Sequence, residues 1–121
     1  MKKNNTNATS NPYKVGDVVY ISWGYSMIIV QFYKVTRVTP SKVGLVELEQ
    51  NEDYTGYLSG ETTPIINKEI EGNNSPYSAH EDCLYKVCED GRIRIPSYRG
   101  GHDYESAWRW GGSPITFDHC D

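Results

Sequence analysis

A chain of 121 residues and 13.8 kDa, 37% hydrophobic and carrying ten Tyr and three Trp, fits one folded domain with a single core; neither a second domain nor wholesale disorder suits it. Its formal charge of -4 and pI near 5.3 exclude non-specific duplex binding, because phosphate contacts need concentrated Lys and Arg. No apolar run approaches the roughly 18 residues of a membrane span, and the polar start lacks the apolar stretch of a signal peptide, so a cytoplasmic location and no membrane partner are expected. The three cysteines, Cys83, Cys88 and Cys120, are then read as reduced thiols.

In chain order, residues 1–12 read as a flexible polar tail, since Asn4, Asn5, Thr6, Asn7, Thr9, Ser10 and Asn11 give no apolar periodicity. Residues 13–121 form the single β-rich domain. Val15 to Ser22 predicts a first strand and Ile28 to Thr39 a second, whose apolar residues occupy both faces and imply either two-sided burial or a bulge. Pro40-Ser41-Lys42 turns the chain into a third strand, Val43 to Glu49, antiparallel to the second. From Gln50 to Asn74 the pattern weakens, leaving room for one or two short strands around Tyr57-Leu58 and Ile65-Ile66. Glu89-Asp90-Gly91 signals a hairpin between Cys83–Cys88 and Arg92–Ile95, with Arg92 and Arg94 opposite Ile93 and Ile95, and Pro96 closing the strand. After Arg99-Gly100-Gly101, Asp103 can cap one helical turn through Trp108, ended by Gly111-Gly112 and Pro114. The expected fold is mainly β, a small SH3-like or related antiparallel β-barrel with at most one short helix near the C-terminus.

Val15-Gly16-Asp17, Ser22-Trp23-Gly24-Tyr25 and Phe32-Tyr33-Lys34-Val35-Thr36 resemble the opening block of a group of small proteins encoded by bacteriophages and other mobile elements. Ile95-Pro96-Ser97-Tyr98 and Trp108-Arg109-Trp110-Gly111-Gly112 resemble that group's closing block less closely. The chain departs from the group at Ser26-Met27-Ile28-Ile29, which is mostly apolar where polar residues are usual. The resemblance implies a phage or prophage origin, hence a host-cell cytoplasm, and a β-rich fold, with no chemistry to carry over. Val15-Gly16-Asp17 also resembles the first strand of SH3-like barrels.

Chemical motifs are sparse. His80, Cys83 and Cys88, with His102, His119 and Cys120, do not have the spacing of a zinc site, and five residues separate Cys83 from Cys88, which puts them on opposite faces of a strand. His102-Asp103 with Ser97 or Ser106 makes no triad, the acid pairs Glu52-Asp53 and Glu81-Asp82 lie in wet segments, and Arg99-Gly100-Gly101 is no phosphate loop. No metal, cofactor or catalytic residue is therefore expected. Four of the five arginines fall in the last third, interleaved with aromatics, while Glu47, Glu49, Glu52, Asp53, Glu61, Glu69 and Glu71 give an acidic middle. Arg92, Arg94, Tyr98, Arg99, Tyr104, Trp108 and Arg109 are the candidate binding face, since Tyr, Trp and Arg dominate interface energetics; the same residue types also build cores, the role expected of Trp23 and Phe32.

Three functions fit this inventory. The first is a phage-encoded binding protein that docks on a host protein, as a counter-defence or host-takeover inhibitor. The second is a nucleotide or single-stranded nucleic-acid binder, which requires the arginines to converge on one face. The third is a structural or virion-associated assembly module using exposed positions such as Met27 and Ile28.

Overall fold

Val30, Gln31, Phe32 and Tyr33 are four consecutive buried residues, so the strand that carries them must be covered on both faces. A computed structural model of the chain describes residues 11–24, 28–70, 83–96 and 104–118, and it shows how that is done. The strands are β1 (Val18–Trp23), β2 (Ile29–Val38), β3 (Lys42–Gly56), β4 (Ser59–Ile70), β5 (Leu84–Lys86), β6 (Ile93–Pro96), β7 (Tyr104–Arg109) and β8 (Ile115–Asp118). They form one open antiparallel sheet in the order β6-β7-β1-β2-β3-β4-β8, with β5 paired to β3. The mainly-β, antiparallel class expected from the sequence is what forms.

Residues opposite one another in a ladder share a face, and this separates two cores. On the first face Val19, Ile21, Tyr33, Val35, Val43, Leu45, Tyr85, Ile93, Ile95 and Ala107 cluster with Tyr13. On the second, Phe32, Val30 and Leu48 meet Phe117 of β8, with Tyr20, Trp110 and Ile115 against them. β8 reaches this face by pairing with β4 from Ser59 to Thr62 and bridging Ile28 through Asp118. Tyr54 packs edge-on against Phe117 at 5.1 Å, and Trp110 against Phe32 at 6.0 Å.

Three local expectations change. The weak segment after Gln50 is the longest hairpin of the fold, turning through Tyr57 and Leu58 between Gly56 and Ser59. Its strands read poorly because most residues from Glu49 to Tyr57 are exposed and polar. Leu58 holds a φ of 61°, a conformation usually left to glycine, so no turn signature marks it. The helical turn expected over 104–108 is instead β7, hydrogen-bonded on both sides, to β6 and to β1. Burial of Ala107 against the first core and cross-strand pairing outweigh the local capping signal. β8, unanticipated, closes the second core. The Asp90-Gly91 turn does form, with Cys88 N–H donating to the Arg92 carbonyl and Gly91 at a φ of 93°. The bulge in the second strand also forms, between Val35 and Arg37, alongside the two-sided burial.

The start of the domain is tied down by its own side chains, which bond backbone carbonyls elsewhere in the chain. Asn11 Nδ2 donates to the carbonyls of Thr39 (2.7 Å) and Lys42 (3.1 Å), and the Tyr13 hydroxyl donates to the Gly91 carbonyl. Tyr13, 5% exposed, thereby stops one end of the first core.

Gly60 sits opposite Tyr54 and between β3 and β8, where a Cβ would stand 2.1 Å from the Asp53 carbonyl oxygen. Gly60→Ala must displace backbone, so a loss of about 3 kcal/mol is expected in chemical denaturation. Gly16→Ala meets no atom and only a φ of 98°, so a cost of about 1 kcal/mol is expected there.

Candidate functional site

β6 and β7 carry the candidate side chains, and strand alternation sorts them. Ile93, Ile95 and Ala107 point into the first core, so Arg94, Tyr104, Ser106 and Trp108 take the other face. Arg94 pairs with Ser106, and its guanidinium lies over the Tyr104 ring at 4.0 Å from the centroid. Trp108 is 45% exposed and sits opposite Tyr20 of β1. Arg94, Tyr104 and Trp108 thus form one continuous outer strip with Ser106 between the two aromatics.

Arg109 does not join it. Being next to Trp108 on a strand, it faces the other way, where it donates to Asp17 Oδ2 and to the Pro12 carbonyl, both at 2.9 Å. Its guanidinium also lies over the Tyr13 ring at 4.7 Å. Arg109 is a clasp on the N-terminal segment. Arg92 precedes β6 and turns to its own hairpin, with Nε 3.5 Å from Asp90 Oδ1. Tyr98 and Arg99 lie outside the described residues, as do Met27, His80, His102, Asp103, His119 and Cys120. Among the described arginines, Arg109 therefore lies on the opposite face from Arg94, and Arg92 is taken up by Asp90. Among the described residues no group of His, Cys, Asp and Glu is arranged to hold a metal ion, and no helix is long and apolar enough to cross a membrane. Cys83 is exposed and Cys88 half-buried.

A second constellation escaped the sequence reading. Glu47, counted there with the acidic middle, is 4% exposed and stands opposite Tyr33 on the first face. Gln31, also buried, accepts from Trp23 Nε1 (2.6 Å) and donates to Glu47 Oε2 (3.1 Å) and to the Tyr33 hydroxyl (3.2 Å). Trp23 is half-buried at the edge of the first core, holding this polar chain, and Phe32 is a full core residue. The available signal was a single polar residue between apolar neighbours, in Val30-Gln31-Phe32 and again in Val46-Glu47-Leu48.

Burial pushes the Glu47 carboxyl up to about 7 from its ordinary 4.5, and the Gln31 amide pulls it partly back. The folded chain then keeps a proton that the unfolded chain loses at lower pH. Stability from this group is full below pH 4.5 and falls as pH rises towards 7, by on the order of 3 kcal/mol. Glu47→Gln retains an acceptor for Gln31 and should flatten that part of the stability–pH curve measured by urea unfolding. A wild-type curve flat between pH 4.5 and 7 would place an ionised carboxylate in the core instead.

The outer strip and the clasp predict opposite phenotypes for neighbouring residues. Arg109→Ala should lower stability by about 1 kcal/mol through loss of the Asp17, Pro12 and Tyr13 contacts. Trp108→Ala should stay within about 0.5 kcal/mol of wild type. Thermal melts of the two variants decide it.

The chain matches no protein-family model, no curated protein and no solved structure, so the reading of these residues rests on their chemistry and placement.

Proposed function

We propose that the chain is a small binding protein that docks on a protein partner through the outer face of β6 and β7, rather than a catalyst. The observation that carries this reading is Trp108, 45% exposed beside a guanidinium stacked on Tyr104. A large aromatic left in solvent costs free energy that a partner's surface recovers, and Trp, Tyr and Arg are the side chains that concentrate binding energy. The resemblance to phage-encoded proteins extends the proposal: the partner is a host factor, met in the host cytoplasm and inhibited by occupation of its surface. The acidic character of the chain, at -4, suits a partner with a basic surroundings to its docking site.

Single-stranded nucleic acid is the weaker reading. Arg92 is paired with Asp90 and Arg109 with Asp17, which leaves Arg94 as the one cation without a carboxylate beside the described aromatics of the strip. A phosphate backbone calls for several.

Affinity capture from a bacterial host lysate, run in parallel with wild type and the Arg94→Ala/Trp108→Ala double variant, tests the proposal. A specific protein retained by wild type and lost by a double variant of unchanged melting temperature is the expected outcome. Capture of the same protein by both would move the docking site elsewhere on the chain.

A further inference from the structure

We infer that the outer strip of β6 and β7 takes an extended peptide segment of the partner in which an acidic residue and an apolar residue stand two positions apart. This rests on the docking reading above and gives the partner's segment its chemistry.

The argument begins with charge. Lys34 is paired with Glu69, Arg92 with Asp90 and Arg109 with Asp17, whereas Arg94, exposed, has no carboxylate against it among the described residues. Its guanidinium lies over the Tyr104 ring, which restrains it and leaves N–H groups free to donate. That fork matches the two oxygens of one carboxylate. Ser106, directly opposite Arg94 in the ladder, adds a hydroxyl within the same row. The next side chain on this face of β7 is Trp108, which offers an apolar shelf backed by Tyr20.

Spacing then selects the occupant. Side chains two apart on a strand rise about 7 Å along it and point the same way, so the Ser106 and Trp108 positions are separated by one such step. An extended peptide running along β7 repeats its own side chains at the same interval. It therefore sets a carboxylate on Arg94 and Ser106 and an apolar side chain on Trp108 at once. One cation without a carboxylate on the strip suits one carboxylate, whereas a polyanion calls for several cations.

The test uses the full chain and a capped probe, acetyl-Ser-Glu-Ser-Leu-Ser-amide, titrated at low ionic strength and followed by the amide signals of β6 and β7 in nuclear magnetic resonance. Control probes replace Glu by Gln, move Leu next to Glu, or substitute a thymidine dodecamer. Saturable shifts confined to the strip are expected with the first probe, weakened about tenfold by Glu to Gln in the probe or by Arg94→Gln in the protein, and not weakened further when the two are combined. Arg94→Lys should recover only part of the affinity, and Trp108→Ala should remove the preference for spaced over adjacent Leu.

Equal shifts from the Gln probe, indifference to spacing, or tighter binding of the oligonucleotide would each overturn the inference. The two levels fail separately. A captured partner that still depends on Trp108 while the acidic probe does not bind would remove the peptide chemistry and leave the docking face; a partner indifferent to Trp108 would remove the face itself.

Discussion

Two-sided burial of β2 is the constraint from which the rest of this structure follows. A strand with Val30, Gln31, Phe32 and Tyr33 all buried cannot lie on the surface of a single-core sandwich. The first face is covered by curling β5, β6 and β7 around Tyr33 and Val35, and the second by bringing β8 back across Phe32. The long β3–β4 hairpin serves that second task, since it supplies the ladder on which β8 is hung. Because the second core involves β1, β2, β3 and β8, it stops short of β6 and β7, whose outer side is left as the aromatic and arginine strip.

Electrostatics divides along the same line. Two of the chain's ion pairs fasten elements in place, Arg109 holding the N-terminal segment and Lys34 the outer end of β4. Exposed pairs of this kind add little stability individually, so their value here is placement: they orient Tyr13 and the β4 strand. Glu47 is the opposite case, a carboxyl held inside the first core by Gln31, and through it connected to the indole of Trp23. Buried polar chains of this sort specify one arrangement of neighbouring strands, because any slip in register leaves several groups without partners.

What was legible in the sequence was what local pattern determines. The mixed apolar faces of β2, the Asp-Gly turn and the alternation of Arg94 with Ile93 and Ile95 are readable from consecutive residues. β7 was not, because Tyr104 to Trp108 has a strand's alternation only after Ala107 is known to lie under β6 and β1, which come from distant parts of the chain. The strand conformation of 104–109 also sorts the candidate site. On a helical turn Trp108 and Arg109 are neighbours on one surface; on a strand they face opposite sides, and so one belongs to the outer strip and the other to the clasp. The β3–β4 hairpin was hidden for a related reason: the outer part of β3 is exposed on both faces, and the buried positions of β4 are filled by Gly60, Thr62 and Pro64, which give no hydrophobic period.

The pairing of β1 with β7 has a consequence for synthesis. Val19 meets Arg109 across most of the chain's length, and Tyr13 is closed over by Gly91 and Arg109. The first core therefore cannot be completed until β6 and β7 have been synthesised: Ile21, Tyr33 and Leu45 wait, partly uncovered, for them to follow. Such a fold has high contact order and forms late and all at once. In the interval the chain presents the β1 edge that β7 later pairs, beside an uncovered apolar face, a state open to aggregation that prompt synthesis of the β6–β7 segment shortens.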